Sequence, residues 1–420
     1  MRGLNREAYL LLSTTLITNV GNGMHLLTVG KLLYDKTGSA AVFGFVIVME
    51  YAASFVFQVI AGPWVDRGNP KWSCVGACLA RGGVILLAAL MLHQQQQIFW
   101  VVAASLVIQA VKPFYRSAQF ALAPSIVPAQ DLMRFNSYNG IAVQAGQLLG
   151  VAAVGPILTY GGAPLALGLN GGGFILAALL SMAIRVDIVR EPLERAGAAL
   201  GNWLTRAIQD WRDVFAVVRS NPIVFWLLLF AAGDYLLVGL VNLLLAPMVE
   251  NRYGGNDNWL SLLDGSFAVG AMSAAFVVET VARRLGERNA VLLGLGGQAA
   301  GLAALAWSAQ PYAGLALMAI VGAANTLSCV VLLSVLQKRA PARYRGRLSS
   351  IRNIYLAAFG AAVVPLVSHL EQESLAYALL ASAVIGSLFW AIVFIVARPR
   401  RHGMALFDAA DAQAQIRQAQ

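Results

Sequence analysis

Long stretches of apolar sequence almost free of charge constrain this chain more than any other feature. Residues 223–249 contain one charged residue, Asp234, and residues 374–397 contain none. A helix needs roughly 20 apolar residues to cross the hydrocarbon core of a bilayer, and both runs exceed that length. Charged residues make up 12% of the chain, which is about half the share found in soluble domains. The sequence therefore predicts an all-α integral membrane protein.

Twelve apolar segments of this kind follow one another along the chain. The first follows a basic N-terminus without a small-residue cleavage site, so we interpret it as a retained helix and not as a secretory signal. The predicted transmembrane helices are Ala8–Gly30, Ala41–Ala61, Trp72–Leu92, Ile98–Ala118, Asn136–Tyr160, Pro164–Ala183, Ile223–Val249, Leu260–Ala282, Ala290–Ser308, Tyr312–Leu336, Leu348–His369 and Leu375–Val396.

Positive charge is distributed unevenly between the two sides that these segments define. Of the 30 lysines and arginines, Lys31, Lys36 and Arg252 lie on one side, Arg81 lies within a segment, and the other 26 lie on the opposite side or in the end of a segment that faces it. Because basic residues collect on the cytoplasmic side of membrane proteins, we predict a cytoplasmic-membrane protein with both termini inside. Attraction to the anionic inner leaflet accounts for the net charge of +10 without a nucleic-acid partner.

The polar stretch in the middle of the chain divides it into two related halves. Residues 1–184 and 222–397 are each predicted to form a six-helix bundle, 185–221 a cytoplasmic loop with a surface helix near Trp203–Arg219, and 398–420 a cytoplasmic tail. Pro128, Arg134 and Ser137 recur as Pro341, Arg347 and Ser350, each offset by 213 residues (341 − 128). Two pseudo-symmetric halves of this kind are typical of transporters.

The loop after the second segment carries a motif, Gly62-Pro63-Trp64-Val65-Asp66-Arg67-Gly68-Asn69-Pro70-Lys71. It resembles the signature loop of the major facilitator superfamily, although the usual Gly-Arg-Lys ending is here Gly-Asn-Pro-Lys. Three further segments resemble the branch that contains macrolide exporters and enterobactin-type siderophore exporters. They are Lys36-Thr37-Gly38-Ser39-Ala40, Ile126-Val127-Pro128 with Asn136-Ser137, and Tyr344-Arg345-Gly346-Arg347.

The resemblance implies a fold of two six-helix bundles that alternates between inward-open and outward-open states, usually as a proton-coupled exporter. It also implies that the motif is a conformational latch, whose partner is the N-terminal end of the eleventh predicted helix near Arg347–Arg352. A carboxylate such as Asp66 is suited to accept hydrogen bonds at a helix N-terminus. The alternative is a plain surface turn. The latch residues are Gly62, Asp66, Arg67, Gly68, Lys71, Arg347 and Arg352.

Titratable residues inside the apolar segments are costly and need a reason to be there. Asp234 and Glu50 are the candidates for proton coupling, because burial favours the neutral acid and lets such a group take up and release protons. Asp234 is alternatively part of a structural hydrogen-bond cluster, and Glu50 alternatively pairs with Arg81 or a polar neighbour. His25 is a third candidate, or a satisfied hydrogen-bond partner.

Polar residues at helical spacing are the candidates for a substrate cavity. Gln109, Lys112 and Arg116 form one stripe, which with Arg81 suits an anionic substrate or else extends to lipid phosphate. Asn19 and Asn22 share a face with His25, and Asn22 lies close to the repeat position of Asp234. The remaining candidates are Tyr235, Asn242, Asn325, Asn353 and Tyr355.

The leading interpretation is a secondary transporter that exports a siderophore or drug-like molecule in exchange for protons and acts as a monomer in membrane lipid. No Gly-Lys-Ser/Thr phosphate loop occurs, which argues against ATP hydrolysis. A siderophore importer or a lysophospholipid flippase of the same fold is the alternative. A membrane enzyme or sensor is a third interpretation, opposed by scattered histidines, the lack of metal-ligand spacing and the absence of a sizeable soluble domain. No cofactor is predicted.

Overall fold

The computed structural model describes residues 4–37, 40–95, 99–186, 201–253 and 257–397, and these are helical apart from short connections. Lipid cannot satisfy backbone polar groups, so long apolar runs form helices, in which those groups pair within the segment. The α-helices of the described residues are α1 (Arg6–Thr37), α2 (Ala40–Arg67), α3 (Pro70–Gln95), α4 (Phe99–Ile126), α5 (Leu132–Ala183), α6 (Gly201–Ser220), α7 (Pro222–Arg252), α8 (Asp257–Ala275), α9 (Val278–Leu285), α10 (Glu287–Trp307), α11 (Pro311–Arg339), α12 (Arg345–Glu373) and α13 (Leu375–Val396).

By length and composition, seven helices of the described part are able to cross a membrane, or eight if the bent pair α8 and α9 is one span. The sequence predicts twelve segments, and the two numbers differ for physical reasons. The long helix α5 contains two predicted segments. Polar residues lower the hydropathy of α1, and Lys112 and Arg116 lower that of α4. The backbone of α2 is described, but many of its side chains are not.

Helix α5 is broken at Gly162, between the predicted segments that end at Tyr160 and begin at Pro164. Gly162 has a φ of 69° and a ψ of −176°. A side chain is strained at such a positive φ, whereas glycine adopts it readily. The two arms of α5 therefore correspond to the fifth and sixth predicted segments.

The eighth predicted segment, Leu260–Ala282, is not one straight helix. Helices α8 and α9 meet at a bend of 56°. Glu279, Arg283 and Arg284 lie in α9, whose opposite face is apolar, with Val278 and Ala282 buried. An amphipathic helix of this kind suits a membrane interface and not the hydrocarbon core, which gives a reason for the bend.

Packing divides the chain into two compact units. The first comprises Met1–Asp131, Ala142–Ala216 and Pro341–Ser350. Within it, apolar side chains of five helices form a continuous core. Its buried members are Val29, Leu33, Val46, Ile85, Ala89, Leu92, Val101, Ile108, Leu167 and Phe174.

The second unit comprises Leu132–Ile141, Val217–Ala340 and Ile351–Gln420, and helix α11 packs there against α7, α8 and α10. Gly270 and Gly322 lie where α8 and α11 meet, and a β-carbon at either position would overlap the backbone of the other helix. Small residues permit this close approach.

The Arg252 guanidinium, at the end of α7, donates hydrogen bonds to the carbonyls of Leu305 at 2.6 Å and Ala306 at 2.8 Å. These bonds satisfy carbonyl groups in the last turn of α10 that have no partner within the helix.

Candidate functional site

Asp66 lies at the N-terminus of α12, within the first unit. One carboxylate oxygen accepts a hydrogen bond from the backbone N–H of Gly346 at 2.6 Å, and the other accepts one from that of Arg347 at 3.0 Å. The Arg347 Nε is 3.5 Å from Asp66 Oδ2, and the two side chains are 5% and 3% exposed. The carboxylate therefore satisfies two backbone donors that a helix N-terminus otherwise leaves unpaired, in a favourable orientation for the helix dipole.

Two glycines allow this close contact between α2 and α12. A β-carbon on Gly62 would lie 2.9 Å from the Arg347 Cα and 2.7 Å from the Ser350 Oγ. A β-carbon on Gly346 would lie 2.7 Å from Asp66 Oδ1. One turn away, Gln58 donates to the Ser350 hydroxyl at 2.9 Å.

The other predicted latch residues do not all gather at this contact. The Gly68 N–H donates to the Trp64 carbonyl at 2.8 Å and closes the end of α2. The Lys71 ammonium lies 5.3 Å from the Trp72 ring, Arg67 is half-buried, and Arg352 belongs to the second unit. That the Asp66 contact acts as a latch stays a prediction.

We expect Gly62→Ala to destabilise the protein by about 1–3 kcal/mol, the usual cost of overpacking, because the new methyl group meets the α12 backbone. Gly76→Ala in α3 is the matched control, since a β-carbon there meets nothing within 4 Å. Alanine is the better helix former by about 0.5–1 kcal/mol, so the control should unfold at the same or a higher temperature. Thermal unfolding of both variants in one detergent makes the comparison, and equal melting temperatures would contradict the contact.

A second ion pair, in the second unit, repeats the first. The Arg134 guanidinium donates to both oxygens of Glu279, at 2.8 Å and 2.9 Å, and the side chains are 24% and 21% exposed. Arg134 and Glu279 lie 213 residues (279 − 66) from Arg347 and Asp66, respectively. Reasoning from the sequence missed Glu279, although the offset of the Pro128 repeat leads from Asp66 directly to it.

Polar side chains next to Arg134 pair with α11 in the same unit. The Asn136 amide donates to the Ser334 hydroxyl at 2.9 Å and to the Gln337 carbonyl oxygen at 2.7 Å. Lys338 pairs with Glu287 at 2.9 Å. The start of α5 is thus held to α9 and α11 by charge and by buried hydrogen bonds.

We expect Arg134→Gln to lower the free energy of unfolding by about 1–2 kcal/mol, because two charge-assisted hydrogen bonds are lost. Arg283→Gln is the matched control at the same carboxylate, since Arg283 is 69% exposed and only within 3.9 Å of Glu279, and exposed pairs contribute little. Arg134→Lys should be intermediate, because lysine keeps the charge without the paired geometry. Chemical denaturation of the four proteins tests this; equal losses for both glutamine variants would contradict it.

Asp234, midway along α7, is buried in the second unit with 1% exposure. Its Oδ1 accepts hydrogen bonds from the Ser328 hydroxyl at 2.5 Å and the Gln298 amide at 2.9 Å, and its Oδ2 lies 3.4 Å from the Asn325 amide. Within the described ranges no lysine or arginine forms an ion pair with it. A buried carboxyl group held by neutral donors alone can change protonation without breaking an ion pair.

Of the cavity candidates near α7, only some join this cluster. Asn325 contacts Asp234, whereas Tyr235 is 45% exposed and Asn242 is exposed. Asn353 and Tyr355 are half-buried on α12. Gln298 and Ser328 were not predicted, because their pairing with Asp234 joins helices that lie far apart in the sequence.

Arg81 forms a buried cluster in the first unit. Its exposure is 1%, its Nη2 donates to the Asn22 side-chain oxygen at 2.7 Å, and its guanidinium lies 4.4 Å from the Phe174 ring centre. The Asn22 amide in turn lies 3.3 Å from the Asn19 oxygen. The Glu50 side chain, the alternative partner of Arg81, lies outside the described residues.

The remaining candidates are divided between the interior and the surface of this unit. His25 is buried; its Nε2 lies 2.8 Å from the Ser105 hydroxyl, whereas its Nδ1 has no hydrogen-bond partner among the described residues. Gln109 and Lys112 are half-buried and Arg116 is exposed. The stripe on α4 is therefore not enclosed as a whole.

Comparison with known proteins identifies the family that this sequence matches. Residues 11–365 match the sequence profile of the Major Facilitator Superfamily. Macrolide efflux protein A of Streptococcus pyogenes is 24% identical over 243 residues, which cover 57% of this chain and 58% of that protein, less than two thirds of its length.

Two solved structures share the fold. An outward-facing bacterial homologue of the iron transporter ferroportin superposes with a TM-score of 0.75 at 19% identity, over 93% of this chain and 99% of that one. The E. coli fucose:proton symporter superposes with a TM-score of 0.70 at 12% identity, over 93% and 98% of the two chains. At these identities the likeness concerns the fold alone.

Proposed function

This chain belongs to the major facilitator superfamily, a family of membrane transporters and not of enzymes, and on that premise we propose that it exports a small organic molecule in exchange for protons. The burial of Asp234 is the observation on which the proposed proton coupling rests. Its carboxyl group is buried in the middle of a membrane-crossing helix, among neutral hydrogen-bond partners. A charged side chain at this depth is costly, so an ionisable residue there indicates a functional site. Reversible protonation is the function that we assign to it.

In this proposal the chain crosses the cytoplasmic membrane twelve times and functions as a monomer. The crossings are α1 to α4, the two arms of α5, α7, the bent pair α8 and α9, and α10 to α13. Both termini are cytoplasmic, as the distribution of lysine and arginine favours. This arrangement gives two six-helix halves.

The two repeated ion pairs act as latches on the transport cycle. Asp66 with Arg347, and Glu279 with Arg134, each hold the N-terminal end of one helix against another. Each must release when the transporter changes state. Because both are held by hydrogen bonds that water can replace, their opening and closing fits a reversible cycle.

The cargo in this proposal is a drug-like molecule. Support comes from the distant relationship to a macrolide efflux protein. The siderophore cargo predicted from the sequence gains no support from the relatives. An importer or a flippase of the same fold remains the competing proposal, and direction of transport separates them.

Uptake of a radiolabelled macrolide by cells lacking their own exporters tests this proposal. Cells that express the protein should accumulate less label than cells that express Asp234→Asn, and a protonophore should remove the difference. Higher accumulation with the wild type would indicate import. Equal accumulation, with faster inward movement of a fluorescent lysophospholipid, would indicate a flippase.

A further inference from the structure

An apolar groove runs along α10 and α13 in the second unit, on both sides of the Trp390 ring. On one side is a cavity of about 350 Å³ lined by small side chains, among them Ala300, Ala303 and Val384. On the other is a cavity of about 410 Å³ lined by Leu285, Asn289 and Leu293, among others. Gly296 belongs to both. We call the two cavities together the α10–α13 groove.

The α10–α13 groove is long enough for a lipid chain. From Asn289 to Ala303 the helix extends about 21 Å at 1.5 Å per residue, against about 15 Å for the hydrocarbon of one leaflet. Gly296 lets the Trp390 indole pack directly against α10, because a β-carbon there would lie 3.2 Å from the indole nitrogen. Leu293 and Val384 at its sides are 54% and 58% exposed.

One end of the groove carries a positive charge. The Arg288 guanidinium lies 5.2 Å from the Phe394 ring centre, and Phe394 stacks on Trp390 at 5.4 Å with an angle of 8° between the rings. Arg288 donates to the Phe394 carbonyl at 3.1 Å, while its Nε, buried from solvent, has no hydrogen-bond partner among the described residues. The neighbouring acid, Glu287, is neutralised by Lys338.

We propose that the α10–α13 groove binds an anionic phospholipid of the cytoplasmic leaflet, with its phosphate at Arg288 and an acyl chain along Leu293 and Trp390. The charge decides the class of lipid, because basic residues between helices on the cytoplasmic side attract anionic head groups. The small side chains along α10 leave room for the acyl chain of the lipid. The proposal of this lipid site does not depend on the cargo or on proton coupling. It rests on the part of the proposed function that places the Arg288 end of the groove on the cytoplasmic side of the membrane.

Photo-crosslinking with a diazirine on the acyl chain tests the site in reconstituted full-length protein. Phosphatidylglycerol and phosphatidylcholine probes with the same chains are compared, and the adducts are mapped by mass spectrometry. We expect adducts on α10 and α13 to form about fivefold more with the anionic probe, the preference that one basic residue contributes. Equal adducts with both probes would overturn the proposal.

Four variants separate the head group from the chain. Arg288→Gln should remove the preference for the anionic probe, and Arg288→Lys should keep most of it, which excludes a general loss of structure. Leu293→Trp fills the groove and should reduce adducts with both probes. Arg219→Gln, an exposed arginine at the end of α6, should change nothing. Adducts that persist in Leu293→Trp, or a preference that persists in Arg288→Gln, would place the lipid elsewhere.

Discussion

Asp234→Asn is expected to abolish transport that is driven by a pH gradient while the protein still folds. Asparagine keeps an oxygen that can accept from Ser328 and Gln298, as Asp234 Oδ1 does at 2.5 Å and 2.9 Å, so the buried cluster survives. It cannot take up or release a proton. Exchange of labelled for unlabelled cargo, which needs no net proton movement, should continue.

Proteoliposomes with an imposed pH gradient measure both activities for each protein. Glu250→Gln is the matched control, because Glu250 is an exposed carboxylate on the same helix. It should transport like the wild type. If Asp234→Asn still concentrates the macrolide in response to the gradient, the proton is carried by another group and the role assigned to Asp234 is wrong.

Asp66→Ala is expected to release the N-terminus of α12. Alanine leaves two backbone donors without a partner and Arg347 without its counter-charge, and breaking a buried pair in this way costs about 3–5 kcal/mol. Because the side chains are 3% and 5% exposed, solvent screens this loss little. Transport should fall with it.

A cysteine at position 350 reports the release, because Ser350 is fully buried beside Gly62. In a background without Cys74, Cys78 and Cys329, a thiol reagent should label Ser350→Cys slowly, and much faster when Asp66→Ala is added. Glu7→Ala is the control, since Glu7 also accepts a backbone hydrogen bond, from Arg185 at 2.7 Å, but near the surface. An unchanged labelling rate in the Asp66→Ala variant would show that the Asp66 contact does not keep position 350 inaccessible.

The helices were predictable because their cause is local. A run of apolar residues must pair its backbone internally in lipid, and that property is visible in the sequence. The break in α5 was predictable as a gap between two segments, whereas the bend between α8 and α9 was not. Gly162 is one of 40 glycines, and the sequence did not single it out as the residue with a positive φ. The 56° bend after α8 occurs where charged residues of α9, Glu279 among them, enter a predicted span.

The candidate site was predictable where a motif or a repeat carried it. Asp66 and Arg347 follow from the loop motif, and Glu279 was available from the 213-residue offset but was missed. Partners drawn from distant helices were not predictable. Gln298 is 64 residues from Asp234 and Arg81 is 59 from Asn22, and no local pattern encodes which helices become neighbours.

Proton movement during cargo exit tests the central claim most directly. Proteoliposomes are loaded with radiolabelled macrolide and a pH-sensitive dye and diluted into medium without macrolide and without a pH gradient. An antiporter brings protons in as the macrolide leaves, so the lumen should acidify with the wild type but not with Asp234→Asn or without protein. Protein-dependent exit of the macrolide with no change in the pH of the lumen would contradict proton-coupled export.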